Sequence, residues 1–146
     1  MTIANDLYSI LKDIYFYLDD GDRRFLNQFE LSIPRFFSLK HIHDNPGISL
    51  TQLSIFMLSH KSNITRLVQG LETEGLVVRE RDETDARTYQ LYLTEAGQSL
   101  FNKASAAHGL FNQERFSNLD GNFEKLLQAL NSVKEVLVEK LENKQQ

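Results

Sequence analysis

The 146-residue sequence contains no cysteine. This absence excludes disulfide bonds, thiolate metal sites, cysteine nucleophiles and thiol redox sensing. No stretch approaches the ~18 uninterrupted apolar residues that a membrane span needs, and the first residues show no cationic segment followed by an apolar run. We therefore expect a protein without a membrane anchor or a secretory signal, in a reducing, cytoplasmic compartment.

The sequence also lacks the short motifs that mark enzymes. It has no phosphate-binding loop, no glycine-rich dinucleotide turn, no nucleophile elbow and no metal triad. His41 and His43 are two positions apart, which on a helix directs them to different sides and makes them a poor chelating pair. We therefore expect no catalytic activity, no bound metal and no cofactor.

Positive charge is scarce as well. Sixteen Lys and Arg residues face 20 Asp and Glu residues, for a formal net charge of −4, which argues mildly against a nucleic-acid partner. The acidity is concentrated at the N-terminus: residues 1–30 hold three basic and six acidic side chains, whereas residues 31–97 hold seven and eight. The middle of the chain is nearly neutral, so its few cations must be well placed to bind an anionic partner.

The sequence does contain a regular succession of amphipathic segments, in a chain long enough for one domain with a real core. Asp19-Asp-Gly-Asp22 predicts a turn after the first helix, and Ser49 with Gln52 predicts a capping box. The tail from Glu142 onward is expected to fray. The fold class is therefore mainly α with a small β-hairpin. Its predicted helices lie at about 3–18, 32–44, 50–57, 61–74 and 94–116, with a last helix that Asp120 caps. Its two predicted strands lie at 76–82 and 88–93.

The predicted helix from Lys61 has two distinct faces. At 100° per residue one sector is apolar and faces the core, with Ile64, Leu67, Val68 and Leu71. The opposite sector carries groups that bond base edges and phosphate oxygens, namely Ser62, Arg66, Gln69 and Thr73, with Thr65 at its edge. A short helix and a tight turn precede this helix, which is the helix-turn-helix arrangement that enters the major groove. The alternative is an ordinary solvated helix surface.

The loop between the two predicted strands is polar and charged, and it lacks the Asn-Gly turn of a minimal hairpin. Such a loop suits a wing, in which Arg87 enters the narrow, negative minor groove while Asp85 restrains neighbouring cations. The alternative is a surface ion pair between Asp85 and Arg87.

Several segments together resemble the MarR family of transcriptional regulators, at that family's spacings over roughly residues 31–100. They are Leu31-Ser-Ile-Pro-Arg-Phe36, Leu50-Thr-Gln-Leu-Ser54, Lys61-Ser-Asn-Ile-Thr-Arg-Leu-Val68, Leu71-Glu-Thr-Glu-Gly-Leu-Val-Val-Arg-Glu-Arg-Asp82, Asp85-Ala-Arg87 and Leu93-Thr-Glu-Ala-Gly97.

The resemblance implies a homodimer that binds double-stranded DNA. It divides a single MarR-like domain of residues 1–146 into a winged helix-turn-helix at about 31–100 and dimerisation helices at about 3–20 and 101–143. Two departures from the family pattern are Leu58, where a glycine is usual, and Gln69-Gly70, where charged residues are frequent. The DNA-contact positions carried over are Thr51, Gln52, Lys61, Ser62, Asn63, Thr65, Arg66, Asp85 and Arg87. Gln69, on the outer face of the same helix, and Arg79 are further candidates.

The function that follows is a sequence-specific, ligand-responsive repressor on a pseudo-palindromic operator. The alternative is a winged-helix interaction module that has lost DNA binding, which the acidic total and Gly70 favour. A group of aromatic side chains is a candidate pocket for a small amphipathic or aromatic effector, or else forms core and dimer interface. These are Tyr8, Tyr15, Phe16, Tyr17, Phe36 and Phe37.

Overall fold

The structure is a computed structural model that describes residues 2–143, so the last three residues of the tail, 144–146, lie outside the described residues, as does residue 1. A 3-10 turn, Asn27–Phe29, follows the first helix. The mainly α fold class is confirmed. In chain order the elements are α1 (Ile3–Leu26), α2 (Ile33–Asp44), β1 (Ile48–Ser49), α3 (Leu50–Phe56), α4 (Lys61–Thr73), β2 (Val77–Arg81), β3 (Tyr89–Leu93), α5 (Glu95–Arg115) and α6 (Phe123–Glu142).

The first helix is longer than predicted, and the turn expected at residues 19–22 is wrong. Helix α1 continues through this segment to Leu26, which is fully buried. Asp20 pairs with Arg23 at 2.5 Å and with Arg24 at 3.0 Å, three and four positions further along the helix. The Arg23 hydrogen bond lowers the pKa of Asp20. Ion pairs along the surface and an apolar anchor at the end thus offset the ~1 kcal/mol that a helical glycine costs.

The predicted starts of the next two helices are confirmed, and a serine caps each of them. The Ser32 hydroxyl accepts a hydrogen bond from the Arg35 amide at 3.3 Å, and Pro34 lies in the first turn of α2. Ser49 and Gln52 form the predicted capping box, with bonds of 3.1 and 3.2 Å in the two directions. These bonds satisfy amides that a helix start leaves without partners.

The sheet has three antiparallel strands where two were predicted, in the order β1-β3-β2. The additional strand pairs Ile48 with Leu91 and Ser49 with Gln90. Two residues are too few to show a period of two, so β1 exists only through its pairing with β3. Gly47 makes this possible, because its φ of +87° turns the chain and its amide donates to the Leu91 carbonyl at 2.9 Å.

Helix α5 begins where the sheet ends. Its start is fixed by Thr94, whose hydroxyl donates to the Gly75 carbonyl at 2.6 Å and accepts from the Gly97 amide at 3.0 Å. A Cβ on Gly97 would lie 2.0 Å from the Leu76 carbonyl oxygen, so only glycine lets α5 approach the strand this closely. The Thr-Glu-Ala-Gly segment is therefore the packing joint between α5 and β2.

Within the described residues the chain forms two compact units, divided between Phe111 and Asn112. In the first unit one apolar core joins α2, α3, α4 and the sheet to the end of α1 and the start of α5. Its buried apolar residues are Leu26, Leu31, Phe36, Leu39, Ile42, Ile48, Leu53, Ile64, Val68, Leu71, Leu76, Val77, Leu91, Phe101 and Ala104.

The second unit contains α6. The cap of this helix is Asn122, whose carboxamide oxygen accepts from the amides of Glu124 and Lys125, and the prediction of Asp120 as the cap is wrong. None of residues 123–142 is buried, although the helix is rich in Leu and Val. Among the helices that the structure describes, none is long and apolar enough to cross a membrane.

Candidate nucleic-acid interface

The turn between α3 and α4 contains a leucine in a left-handed conformation. Leu58 has φ +51°, and its side chain is 85% exposed. A left-handed backbone costs a residue with a Cβ roughly 1–2 kcal/mol, and glycine avoids this cost. The turn therefore has the backbone conformation that glycine adopts without strain. Leucine at position 58, where the family usually has glycine, raises the conformational energy of the turn and leaves its shape unchanged.

Helix α4 presents the two predicted faces. Ile64, Val68 and Leu71 are buried, and Leu67 packs against the same core while partly exposed. The outer face begins at the first turn, which holds no acidic residue. Its exposed side chains are Lys61, Ser62, Asn63, Arg66, Gln69 and Thr73, with Thr65 half-buried at the edge.

Hydrogen bonds preorganise part of this outer face. The Arg66 guanidinium donates to the Asn63 side-chain oxygen at 3.3 Å, and the Thr65 hydroxyl donates to the Lys61 carbonyl at 2.8 Å. Arg66 keeps further N–H groups for an outside acceptor, since a guanidinium has five donors. The side chains near the first two turns of α4 can therefore meet an anionic partner with little rearrangement.

The cations of residues 31–97 fall into two groups. Three of the seven are neutralised within the chain: Arg35 pairs with Glu74, Lys40 with Asp44, and Arg79 with Glu72. In the part of the chain that the structure describes, no ion pair involves the other four, which are Lys61, Arg66, Arg81 and Arg87. Two of these belong to α4 and two to the strand-loop-strand segment of residues 77–93, so the unpaired cations of residues 31–97 are confined to these two neighbouring parts of the fold.

Arg79 has a different environment from the other predicted contacts. Its Nε and Nη2 atoms donate to the two carboxylate oxygens of Glu72 at 2.8 and 2.6 Å, and both side chains are about one-quarter exposed. Glu72 thereby raises the pKa of Arg79. This two-point pair ties β2 to α4, so we assign Arg79 to holding the wing against the helix.

The wing comprises β2, β3 and the loop of residues 82–88, and two aspartates shape the loop. Asp82 accepts from the amide and the hydroxyl of Thr84 at 2.9 and 2.7 Å, which lowers the pKa of Asp82. Asp85 accepts from the Arg87 amide at 3.0 Å. The alternative, an ion pair between the Asp85 and Arg87 side chains, is absent among the described contacts, and Asp85 orders the loop backbone. The Arg87 guanidinium is left exposed.

Arg81 is a candidate that the sequence analysis missed. It is the last residue of β2, it is exposed, and its guanidinium lies 5.9 Å from the centre of the Tyr89 ring. The sequence feature that could have identified it is the alternation of side chains along a strand, which places Arg81 on the same face of β2 as Arg79. The difference between the two arginines is that Glu72 reaches only Arg79.

The remaining predicted contacts lie at the start of α3. Thr51 and Gln52 are exposed in its first turn, and the Gln52 side chain is partly engaged in the capping box. Their amides lie at the positive end of the helix, where phosphate oxygens are favoured.

The aromatic group does not form one pocket within the described part of the first unit. Tyr8, Tyr15, Phe16 and Tyr17 are exposed along α1, whereas Phe36 is buried in the core and contacts Phe101.

A groove of about 430 Å³ lies elsewhere, between the turn that precedes α4, α4 itself and the start of α2. His41 stacks on Phe56, and burial lowers its pKa.

Comparison with known proteins agrees with this geometry. A family model for the MarR family matches residues 31–89. The transcriptional repressor IacR of Pseudomonas putida is 30% identical over 120 residues, which are 82% of this chain and 70% of that protein. A putative transcriptional regulatory protein for the hcr operon of Thauera aromatica is 41% identical over 59 residues, and that match covers 40% of this chain and 36% of the relative.

A solved structure, the transcriptional repressor CouR bound to a 23-mer DNA duplex, has the same fold. It superposes with a TM-score of 0.78 at 24% identity, over 86% of this chain and 89% of that one.

Two helices joined by a tight turn, followed by a strand-loop-strand wing, define the winged helix-turn-helix class of DNA-binding domains. The chain belongs to the MarR family. It is accordingly a DNA-binding transcriptional regulator, and the regulators of this family are not enzymes.

Proposed function

We propose that the protein is a repressor that binds a pseudo-palindromic operator as a homodimer. Helix α4 then enters the major groove, and the wing loop reaches the adjacent minor groove. The observation that carries this proposal is the confinement of the four unpaired cations of residues 31–97 to α4 and the wing. Both IacR and CouR are named as repressors, and CouR is bound to DNA in its structure, which supports the same reading.

The dimeric part of the proposal rests on exposed apolar surface. Helix α1 exposes Ile3, Leu7, Ile10 and Ile14, at helical spacing on one face, to between 45% and 87%. Helix α6 separately exposes Leu126, Leu127, Leu130, Leu137 and Leu141 to between 42% and 60%. A stable monomer does not leave apolar stripes of this length in water. We propose that helices at about 3–20 and 101–143 join two copies and that residues 31–100 bind DNA.

The experiment is a selection of DNA from a randomised duplex pool, followed by fluorescence anisotropy with the selected duplex. The proposal predicts a sequence with two inverted half-sites about one helical turn apart. Destroying one half-site should weaken binding at least about tenfold, because each half-site carries its own contacts. If no specific complex forms at low salt, or if the damaged duplex binds equally well, the chain is an interaction module or a monomeric binder.

We also propose that a small amphipathic or aromatic molecule weakens DNA binding. The supporting observation is the set of exposed aromatic rings on α1, Tyr8, Tyr15, Phe16 and Tyr17, which a second copy would partly enclose. A series of hydroxylated benzoic acids, titrated into the protein–DNA complex, tests this idea. Release of the duplex by one of them, without loss of dimer, is the expected result, and no release by any member contradicts it.

A further inference from the structure

One arginine outside the interface, Arg35, contacts both the segment that follows α1 and the C-terminal end of α4. Arg35 lies in the first turn of α2, and its side chain is 22% exposed. Its Nη1 donates to the Glu30 carbonyl oxygen at 3.0 Å, and its Nη2 forms an ion pair with the Glu74 carboxylate. The two acceptors belong to different segments, one after α1 and the other at the end of α4.

Glu30 is fixed to the end of α1. It has φ +55°, its amide donates to the Asn27 carbonyl at 3.0 Å, and the following amide, of Leu31, donates to the Leu26 carbonyl at 3.2 Å. The Glu30 carbonyl therefore cannot move without moving the end of α1.

Glu74 is fixed in the same way to the end of α4. It is the capping residue of that helix, and its amide donates to the Gly70 carbonyl at 3.1 Å. A carboxylate at this position meets the negative end of the helix dipole, so a counter-ion is needed to hold it there. Arg35 supplies that counter-ion.

We propose that Arg35 is a positioning residue that sets the angle between α1 and α4 and thereby the half-site spacing that the dimer accepts. The proposal rests on the proposed function, since α1 is taken to join the copies and α4 to meet DNA. Helix α4 has 13 residues and is about 20 Å long, so a tilt of about 5° at its clamped end displaces the DNA-facing end by about 2 Å.

The planar guanidinium makes this clamp rigid. Its two N–H donors lie in one plane at a fixed angle to each other, so the directions to the Glu30 carbonyl and to the Glu74 carboxylate are set together. A lysine has one flexible ammonium group and cannot hold both acceptors in one geometry. Arg35→Lys should therefore keep the charge and lose part of the positioning.

The test compares DNA duplexes that differ only in spacing. The duplex selected by the wild-type protein is used with two derivatives, which have one base pair inserted or removed at the centre. Wild-type protein should discriminate strongly against both derivatives. In Arg35→Gln the ratio of affinities for the selected and the altered duplexes should fall by about threefold to tenfold. Arg35→Lys should give an intermediate ratio.

A matched control is Lys40→Gln. It removes the same charge from the same helix, but Lys40 pairs with Asp44 within α2 and does not reach α4. This variant should keep the wild-type ratio. Glu74→Gln breaks the clamp from its more exposed side, and it should reproduce the effect of Arg35→Gln even if the arginine variant does not fold.

The outcomes separate the possible causes. A purely structural role lowers the folded fraction and weakens all three duplexes by the same factor, so an unchanged ratio in Arg35→Gln and Glu74→Gln overturns the clamp. A wild-type protein that binds no duplex, or binds all spacings equally, overturns the proposed function itself. Wild-type discrimination combined with unchanged variants overturns only the role of Arg35.

Discussion

The two ends of α4 carry charges of the wrong sign for the helix dipole, but the chain treats them differently. At the C-terminal end Glu72 and Glu74 are each paired with an arginine, Arg79 and Arg35 respectively. At the N-terminal end Lys61 and Arg66 have no ion pair among the described residues. Charges that oppose the dipole need counter-ions. At the C-terminal end the counter-ions are arginines of the same chain. At the N-terminal end Lys61 and Arg66 remain available for the phosphate groups of the proposed DNA partner.

This difference explains how a chain of net charge −4 can bind DNA. The two acidic residues of α4 and its cap, Glu72 and Glu74, hold the helix between α2 and the wing, so they do not oppose Lys61 and Arg66 at the other end. Local placement decides the interaction with a phosphate backbone, because charges beyond about 10 Å are screened at ordinary salt. The total charge is therefore a poor guide to this surface.

The largest expected effect is at the N-terminal end of α4, where the cations have no ion pair among the described residues. Arg66→Ala should weaken binding to the selected duplex by about 1–3 kcal/mol, which is the range for an arginine that contacts bases. Anisotropy titrations measure this loss. Lys40→Ala removes a charge that is paired with Asp44 within α2 and is the control, and it should change affinity far less. Equal losses in the two variants would mean that α4 has no special place in binding.

The next largest effect is at the C-terminal end of α4, where the charges are paired. Glu72→Gln breaks the two-point pair with Arg79, and we expect a loss of about 1–2 kcal/mol in the free energy of unfolding, since bonds to charged groups contribute more than neutral ones. Urea unfolding measures it. Glu80→Gln, on an exposed residue of the same wing strand, should leave stability within about 0.5 kcal/mol. A stable Glu72→Gln protein would contradict the structural role of this pair.

A smaller gain is expected in the turn before α4. Leu58→Gly should raise the free energy of unfolding by about 0.5–1 kcal/mol, because relief of the left-handed strain exceeds the extra chain entropy of glycine. Thermal or urea unfolding shows the change. The same substitution at Ile55, exposed within α3, should destabilise by about 1 kcal/mol. If both variants lose stability, the strain at Leu58 is negligible.

The smallest effect is pH-dependent order in the wing loop. Hydrogen bonds from Thr84 lower the folded pKa of Asp82 below its ordinary value of 3.8. Their stabilising contribution is therefore complete above pH 3.8 and is lost as the pH falls through the lowered pKa. The chemical shift of the Thr84 amide should titrate with a midpoint below 3.8, and Asp82→Asn should abolish that titration. A midpoint at or above 3.8 would show that these bonds do not form in solution.

Local signals in the sequence were enough for much of the fold. The start of α2 near Ser32, the capping box at Ser49, the period of α4 and, to within a residue, the bounds of β2 and β3 were all predicted, because each depends on residues within a few positions. The missed features depend on other parts of the chain or on competition between local signals. Strand β1 needs β3, and α1 passes Gly21 because of ion pairs and the burial of Leu26.

The candidate site shows the same limit. The positions of Lys61, Arg66 and Arg87 follow from helix period and loop composition, and the structure leaves these side chains exposed. Which cations are neutralised could not be predicted, since Arg35 and Glu74 are 39 positions apart. Arg79 and Arg81 share a strand face and are equivalent in the sequence, and only the position of Glu72 distinguishes them.

The most direct test of the account is the salt dependence of DNA binding in two double variants of equal charge. Arg66→Gln/Arg87→Gln removes unpaired cations, and Lys40→Gln/Arg23→Gln removes paired ones that lie outside α4 and the wing. Each phosphate contact contributes about 0.9 to the slope of log K against log salt, so the first variant of a dimer should lose about 2–4 from the magnitude of the slope. The second should keep the wild-type slope. An equal loss of slope in both variants, or no loss of slope in the first, would contradict the division between unpaired and paired cations.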